Sequence, residues 1–170
     1  MTAALQSFNG MTTADAVRQL MTLCGSTRWA NAVAAARPLT SADDLRRAMA
    51  RAFDQLSDQD WLEAFRHHPR IGDVTKLRER FGATAHLSES EQRGIAGANE
   101  STLQALHQRN QDYEARFGHV FLICATGKSA TEMLAALEAR IDNAAAAELA
   151  IAAAEQRKIT DIRFNRWMAS

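Results

Sequence analysis

The chain reads as an all-α protein, a single-domain bundle of about seven to nine helices over residues 1–170. Three observations predict this. Alanine is abundant and β-branched residues are few, a composition that favours helix along most of the chain. Glycine and proline gather at a handful of points, which leaves long stretches uninterrupted. Ser or Thr followed three residues later by an acid recurs just ahead of apolar runs, the signature of a helix start.

Taken in order, Thr12 or Thr13 caps a first helix with Val17, Leu20 and Leu23 on its apolar face. A second helix runs from about Ser26 to Ala36 and stops before Arg37-Pro38. Ser41 with Asp44 resembles a capping box with Asp in the place of Glu, and starts a helix carrying Leu45, Met49, Phe53 and Leu56. Ser57 and Asp60 open the next, which includes Trp61, Leu62 and Phe65 and runs into His67-His68-Pro69. Beyond the Gly72-Asp73 turn a weak short helix is expected over 74–81. The Ser88/Glu91 box then starts a long helix that reaches about Phe117. "GHVFLICATG" is bracketed by glycines and too apolar for an exposed loop, so it reads as an extended segment packed among helices. Ser129 and Glu132 box the start of a helix to about Asp142, and the alanine-rich remainder to Trp167 is the last helix.

The composition narrows the function classes. Lys and Arg balance Asp and Glu at 20 each, so no net charge steers the chain to nucleic acid or to an anionic membrane. No apolar run approaches the roughly 20 residues of a bilayer span, and the first residues lack the pattern of a signal peptide. Cys24 and Cys124 stand far apart, which argues against a disulfide framework and points to a reduced, cytoplasmic protein. No metal site is expected: His67, His68 and His86 with Asp73 or Glu91 form no H-x-x-x-H or H-E-x-x-H pattern. No glycine-rich phosphate loop and no G-x-S-x-G is present.

Three places can carry chemistry. Proline excludes helical geometry from the residue before it, so His68 sits at a forced helix exit where its imidazole can exchange protons near neutral pH. The plain alternative is a surface histidine that suits the negative end of the helix dipole. "SESEQ" places Ser88, Glu91 and Gln92 at a helix N-terminus, which satisfies the helix's own N–H groups and equally suits a bound carboxylate or polarised carbonyl. "EQRKITDIRFNRW" holds Arg157, Lys158, Arg163 and Arg166, enough for a solvated, ion-paired face. Arg163 shares a helical face with Ile159 and Trp167, and an arginine turned inward there recognises a carboxylate or paired carbonyls.

Together, "WLEAFRHHPRIGD", "LSESEQRGIAG", "NQDYEARFGHVFLICATG" and "LEARIDNAAAAELAIAAAEQRKITDIRF" resemble the OHCU decarboxylase family over nearly the whole chain. These enzymes decarboxylate 2-oxo-4-hydroxy-4-carboxy-5-ureidoimidazoline to (S)-allantoin in urate degradation. The H-P, S-x-x-E-Q, F-G-x-x-F and K-I-x-x-x-R elements are individually weak and jointly specific. The resemblance implies no cofactor and no metal, a small purine-like substrate, and a homodimer. It implies catalytic roles for His68, Glu91 and Arg163, and substrate contacts from Pro69, Ser88, Glu91, Gln92, Arg163 and the backbone of Phe121, Leu122 and Ile123. The chain departs from the family at His119-Val120, where Phe-Pro is common. Two other readings compete: a helical binding module in which these motifs are only helix ends, and a hydrolase in which His68 and Glu91 activate water.

Overall fold

The computed structural model describes residues 2–68 and 89–170, with the side chains of 89–99 left aside. Eight helices and no strand occur among the described residues. They are α1 (Ala3–Gly10), α2 (Thr13–Leu23), α3 (Thr27–Ala35), α4 (Ala42–Phe53), α5 (Asp58–Arg66), α6 (Glu89–Phe117), α7 (Ala130–Arg140) and α8 (Ala145–Ala169). The all-α expectation holds. The short helix expected over 74–81 and the side chains of the Ser88/Glu91 capping box expected at the start of α6 lie outside the described residues.

The chain groups into two compact units, residues 1–67 with 153–170, and residues 68–152. The first contains α1 to α5 and the C-terminal part of α8. Its helices begin where a hydroxyl can take an orphan backbone N–H: Thr2, Thr12, Ser26, Ser41 and Ser57 each accept from the N–H three residues on. The α1 helix precedes the first helix expected from the sequence; its cap is the second residue of the chain, and Leu5 and Phe8 on its inner face are fully buried. Ser57 and Asp60 complete a capping box. Ser41 and Asp44 do not, because the Asp44 carboxylate is occupied by the hydroxyls of Thr40 and Ser41 and by Arg47.

The core of this unit is aromatic. Trp29 stacks on Phe53 at 5.1 Å, Phe53 on Trp61 at 5.3 Å, and the Trp29 indole N–H donates to the Met49 carbonyl at 3.2 Å. Arg157 of α8 lies over both Phe53 and Trp61 and pairs with Asp54, which ties α8 to the α4 end.

The second unit packs α6 against α7. Leu103, Leu106 and Tyr113 from α6 meet Met133 and Leu137 from α7, with Phe121 and Ile123 from the connection between them. That connection carries no regular element over 120–125, as expected of an extended packed segment. Its flanking glycines, Gly118 and Gly127, both adopt positive φ (73° and 76°), so each stop is a backbone turn that L residues rarely make. The Ser129/Glu132 capping box that follows is complete.

Candidate active site

In the first unit the site builds on the junction between α2 and α3, residues 22–27. A helix end leaves carbonyls without partners inside the helix, and Thr22 and Leu23 stand at the end of α2. Arg163 of α8 supplies the donor: its Nη1 donates to the Leu23 carbonyl at 3.0 Å and to that of Thr22 at 3.4 Å. Thr160, one turn earlier and fully buried, donates its hydroxyl to the Leu23 carbonyl as well. Arg163 is therefore the inward-turned arginine of the late basic stretch. The others are used at the surface: Arg157 pairs with Asp54, Lys158 with Glu155, and Arg166 is exposed. Both Arg163 bonds fall on one nitrogen of a five-donor fork, and among the described residues no carboxylate pairs with it.

Cys24 lies in the same junction, fully buried. Burial pushes its thiol up to about 11, outweighing its hydrogen bonds with Ser26 and Thr160 and the nearby Arg163 charge. At neutral pH it is a thiol, a packing group and not a nucleophile.

The same junction receives the exit of α5. Thr27 donates its N–H and hydroxyl to the Glu63 carboxylate at 3.0 and 2.6 Å, and the His67 side chain packs directly on Gly25. His67 is the C-cap of α5 and still helical in conformation. His68 follows it, half-buried, where the helix has ended. The junction thus anchors both Arg163 and the residue next to His68. Pro69 and Ser88 lie outside the described residues; Glu91 and Gln92 fall in the first turn of α6, with their side chains outside the description.

In the second unit Phe121, Leu122 and Ile123 are all buried. Their segment is held by a residue that the sequence did not single out. Arg140, at the end of α7, donates from Nη1 to the Leu122 carbonyl at 2.9 Å and lies 4.6 Å from the Phe121 ring centre. Its other edge clamps Glu148 of α8, whose carboxylate also accepts from Tyr113 and from Asn143. Glu148 is fully buried. Burial alone would raise its carboxyl, but the hydrogen bonds from Arg140, Tyr113 and Asn143 hold it below the ordinary glutamate range. Burial, with Glu148 beside it, pushes the Tyr113 hydroxyl far up, so it stays a donor. Among the described residues no group of three His, Cys, Asp or Glu side chains is placed to hold a metal ion. No helix among them is long and apolar enough to cross a membrane.

Known proteins resemble this chain in sequence and fold. The uric acid degradation bifunctional protein TTL of Arabidopsis thaliana is 41% identical over 82% of this chain, which spans 43% of the plant protein's length. The 2-oxo-4-hydroxy-4-carboxy-5-ureidoimidazoline decarboxylase of Haloferax volcanii is 30% identical over 75% of this chain and 73% of its own. Among solved structures, an OHCU decarboxylase crystallised in the presence of (S)-allantoin superposes with a TM-score of 0.71 at 36% identity, covering 89% of this chain and 98% of that one. An (S)-allantoin synthase shares the fold, with a TM-score of 0.67 at 18% identity over 96% of this chain and 53% of its own. The OHCU decarboxylase family profile matches residues 9–165, from the end of α1 to the last turns of α8. The chain belongs to the OHCU decarboxylase family, a family of carboxy-lyases.

Proposed function

We propose that this chain converts 2-oxo-4-hydroxy-4-carboxy-5-ureidoimidazoline to (S)-allantoin and carbon dioxide in urate degradation, with His68 as acid–base residue and Glu91 orienting the substrate. The observation that carries the reading is the likeness to the OHCU decarboxylase crystallised with (S)-allantoin, which extends over nearly all of that chain. The anchoring of Arg163 and of the α5 exit on one junction supports it.

The substrate contains its own electron sink, so the protein has little covalent work to do. The bond from the hydroxyl-bearing ring carbon to the carboxylate breaks, and carbon dioxide leaves. The electron pair forms a double bond to the adjacent ring carbon as that carbon's imine nitrogen takes a proton. The resulting enol then loses its hydroxyl proton while the adjacent carbon gains one on a single face, which gives the carbonyl and the stereocentre of allantoin. Overall one proton replaces the carboxylate. His68 delivers or relays that proton, and Glu91 polarises the hydroxyl and ring. Arg163, with Nε and Nη2 turned to substrate, and the Phe121–Ile123 backbone hold the carbonyl and ureido groups. Ser88, Gln92 and Pro69 complete the contacts, and a homodimer is the expected assembly.

Freshly generated substrate tests this directly. One equivalent of carbon dioxide and (S)-allantoin are expected, well above the spontaneous rate. His68→Ala and Glu91→Ala should each lower kcat by about 10² to 10⁴-fold, while His67→Ala stays mild. Ring opening without carbon dioxide would point to the hydrolase reading. A dead His67→Ala beside an active His68→Ala would refute the histidine assignment.

A further inference from the structure

We infer that Gly25 is a positioning residue for this reaction, one that sets where His68 stands by letting the preceding residue, His67, seat against it. The inference rests on the proposed role of His68. Gly25 is buried in the α2–α3 junction, and the His67 side chain occupies the space where a Cβ would be. A Cβ built on Gly25 would lie 2.5 Å from His67 Cγ and 2.7 Å from its Cβ, and would also overlap Cδ2. These are the first atoms of the side chain, not its flexible tip. Rotation about the Cα–Cβ bond can swing Cγ and Cδ2 aside, but it leaves Cβ where it is. Relief therefore requires main-chain movement, of His67, with His68 on the next peptide, or of the Gly25 junction against which it seats.

The surroundings make that movement consequential. One turn back, Thr27 fixes the Glu63 carboxylate of α5 through two hydrogen bonds, so the helix cannot simply slide away. Two residues on in the sequence, Pro69 restricts the backbone of His68. Two residues before Gly25, the Leu23 carbonyl holds Arg163. One short junction thereby fixes the α5 exit and the late guanidinium with respect to each other. A catalytic group misplaced by about 1 Å can cost on the order of 10²-fold.

The test is a double-mutant cycle with His67→Gly, which removes every overlapping side-chain atom. Gly25→Ala is expected to lower kcat by about tenfold to a hundredfold. His67→Gly alone should stay within about threefold of the parent, since His67 is given no chemistry. Gly25→Ala combined with His67→Gly should return to the level of His67→Gly. Such recovery separates positioning through His67 from a general loss of stability, and thermal unfolding of all three variants is followed in parallel. An unchanged kcat in Gly25→Ala overturns the inference, and so does a loss that His67→Gly does not relieve. Should Gly25→Ala fail to fold, the double variant decides alone: full turnover supports the inference and lost turnover overturns it. His68→Ala is assayed alongside. Full activity there removes the proposed role of His68, whereas an inactive His68→Ala with a fully active Gly25→Ala removes only the role of Gly25.

Discussion

Two arginines, one in each unit, do the same local job in different company. Arg163 and Arg140 each give one nitrogen to a backbone carbonyl, of Leu23 and of Leu122. Arg140 is nearly buried, and its remaining edge is spent on Glu148, which is fully buried and further bonded by Tyr113 and Asn143. Its charge is cancelled within the protein. Arg163 is half-buried, pairs with no carboxylate among the described residues, and uses a single nitrogen. A guanidinium held by neutral carbonyls keeps its charge and most of its donors for something else. The contrast separates a cation closed in an ion pair from one bonded only to backbone carbonyls, although both look alike as arginines on amphipathic helices.

The largest effect expected is on stability in the second unit. Arg140→Met leaves the Glu148 carboxylate buried without its cation and should cost about 3–5 kcal/mol in urea unfolding. Replacing both members, Arg140→Met with Glu148→Leu, should be less destabilising than Arg140→Met alone, because the stranded charge is gone. If Arg140→Met is as stable as the parent, the network is not a closed ion pair and the comparison fails.

A smaller effect should appear with pH. The Glu148 carboxyl lies below its ordinary range in the folded protein, so its protonation is harder there than in the unfolded chain. Its contribution is therefore complete above the usual glutamate range, about 4.3, and is lost as pH falls through the lower folded value. Unfolding followed from neutral pH down to about pH 2, through the usual glutamate range and below it, should show a flatter acid limb for Glu148→Gln than for the parent. An identical slope would mean that Glu148 is not held ionised by its neighbours.

What could be read in the sequence was local. Thr12, Ser26, Ser57 and Ser129 announce helix starts because a cap and its partner are three residues apart, and these starts were found where expected. Spacing leaves open which of the late arginines turns inward and marks Arg163 only as sharing a face with Ile159 and Trp167; the bonds to the Leu23 and Thr22 carbonyls decide it. The first helix gives little sequence signal because its cap, Thr2, stands almost at the chain start and "QSFNG" is poor in helix formers. The Arg140–Glu148–Tyr113 network gives no periodic signal, since its members come from three helices and meet only through tertiary packing. Its one trace is a lone acid in an alanine-rich run, with the only tyrosine of the chain on an apolar stripe. The fit of His67 on Gly25 was equally hidden, because a glycine between a cysteine and a serine looks like an ordinary helix spacer.

The two arginines also supply the most direct measurement. Arg163→Ala should be assayed for turnover of the ureidoimidazoline and for urea unfolding on the same preparation. A lost hydrogen bond to a charged group predicts a fall in kcat/KM of about tenfold to a hundredfold, with stability lowered by no more than about 1.5 kcal/mol. Unchanged turnover, or destabilisation as large as that of Arg140→Met, would show that Arg163 is a structural cation like its counterpart and would contradict the account.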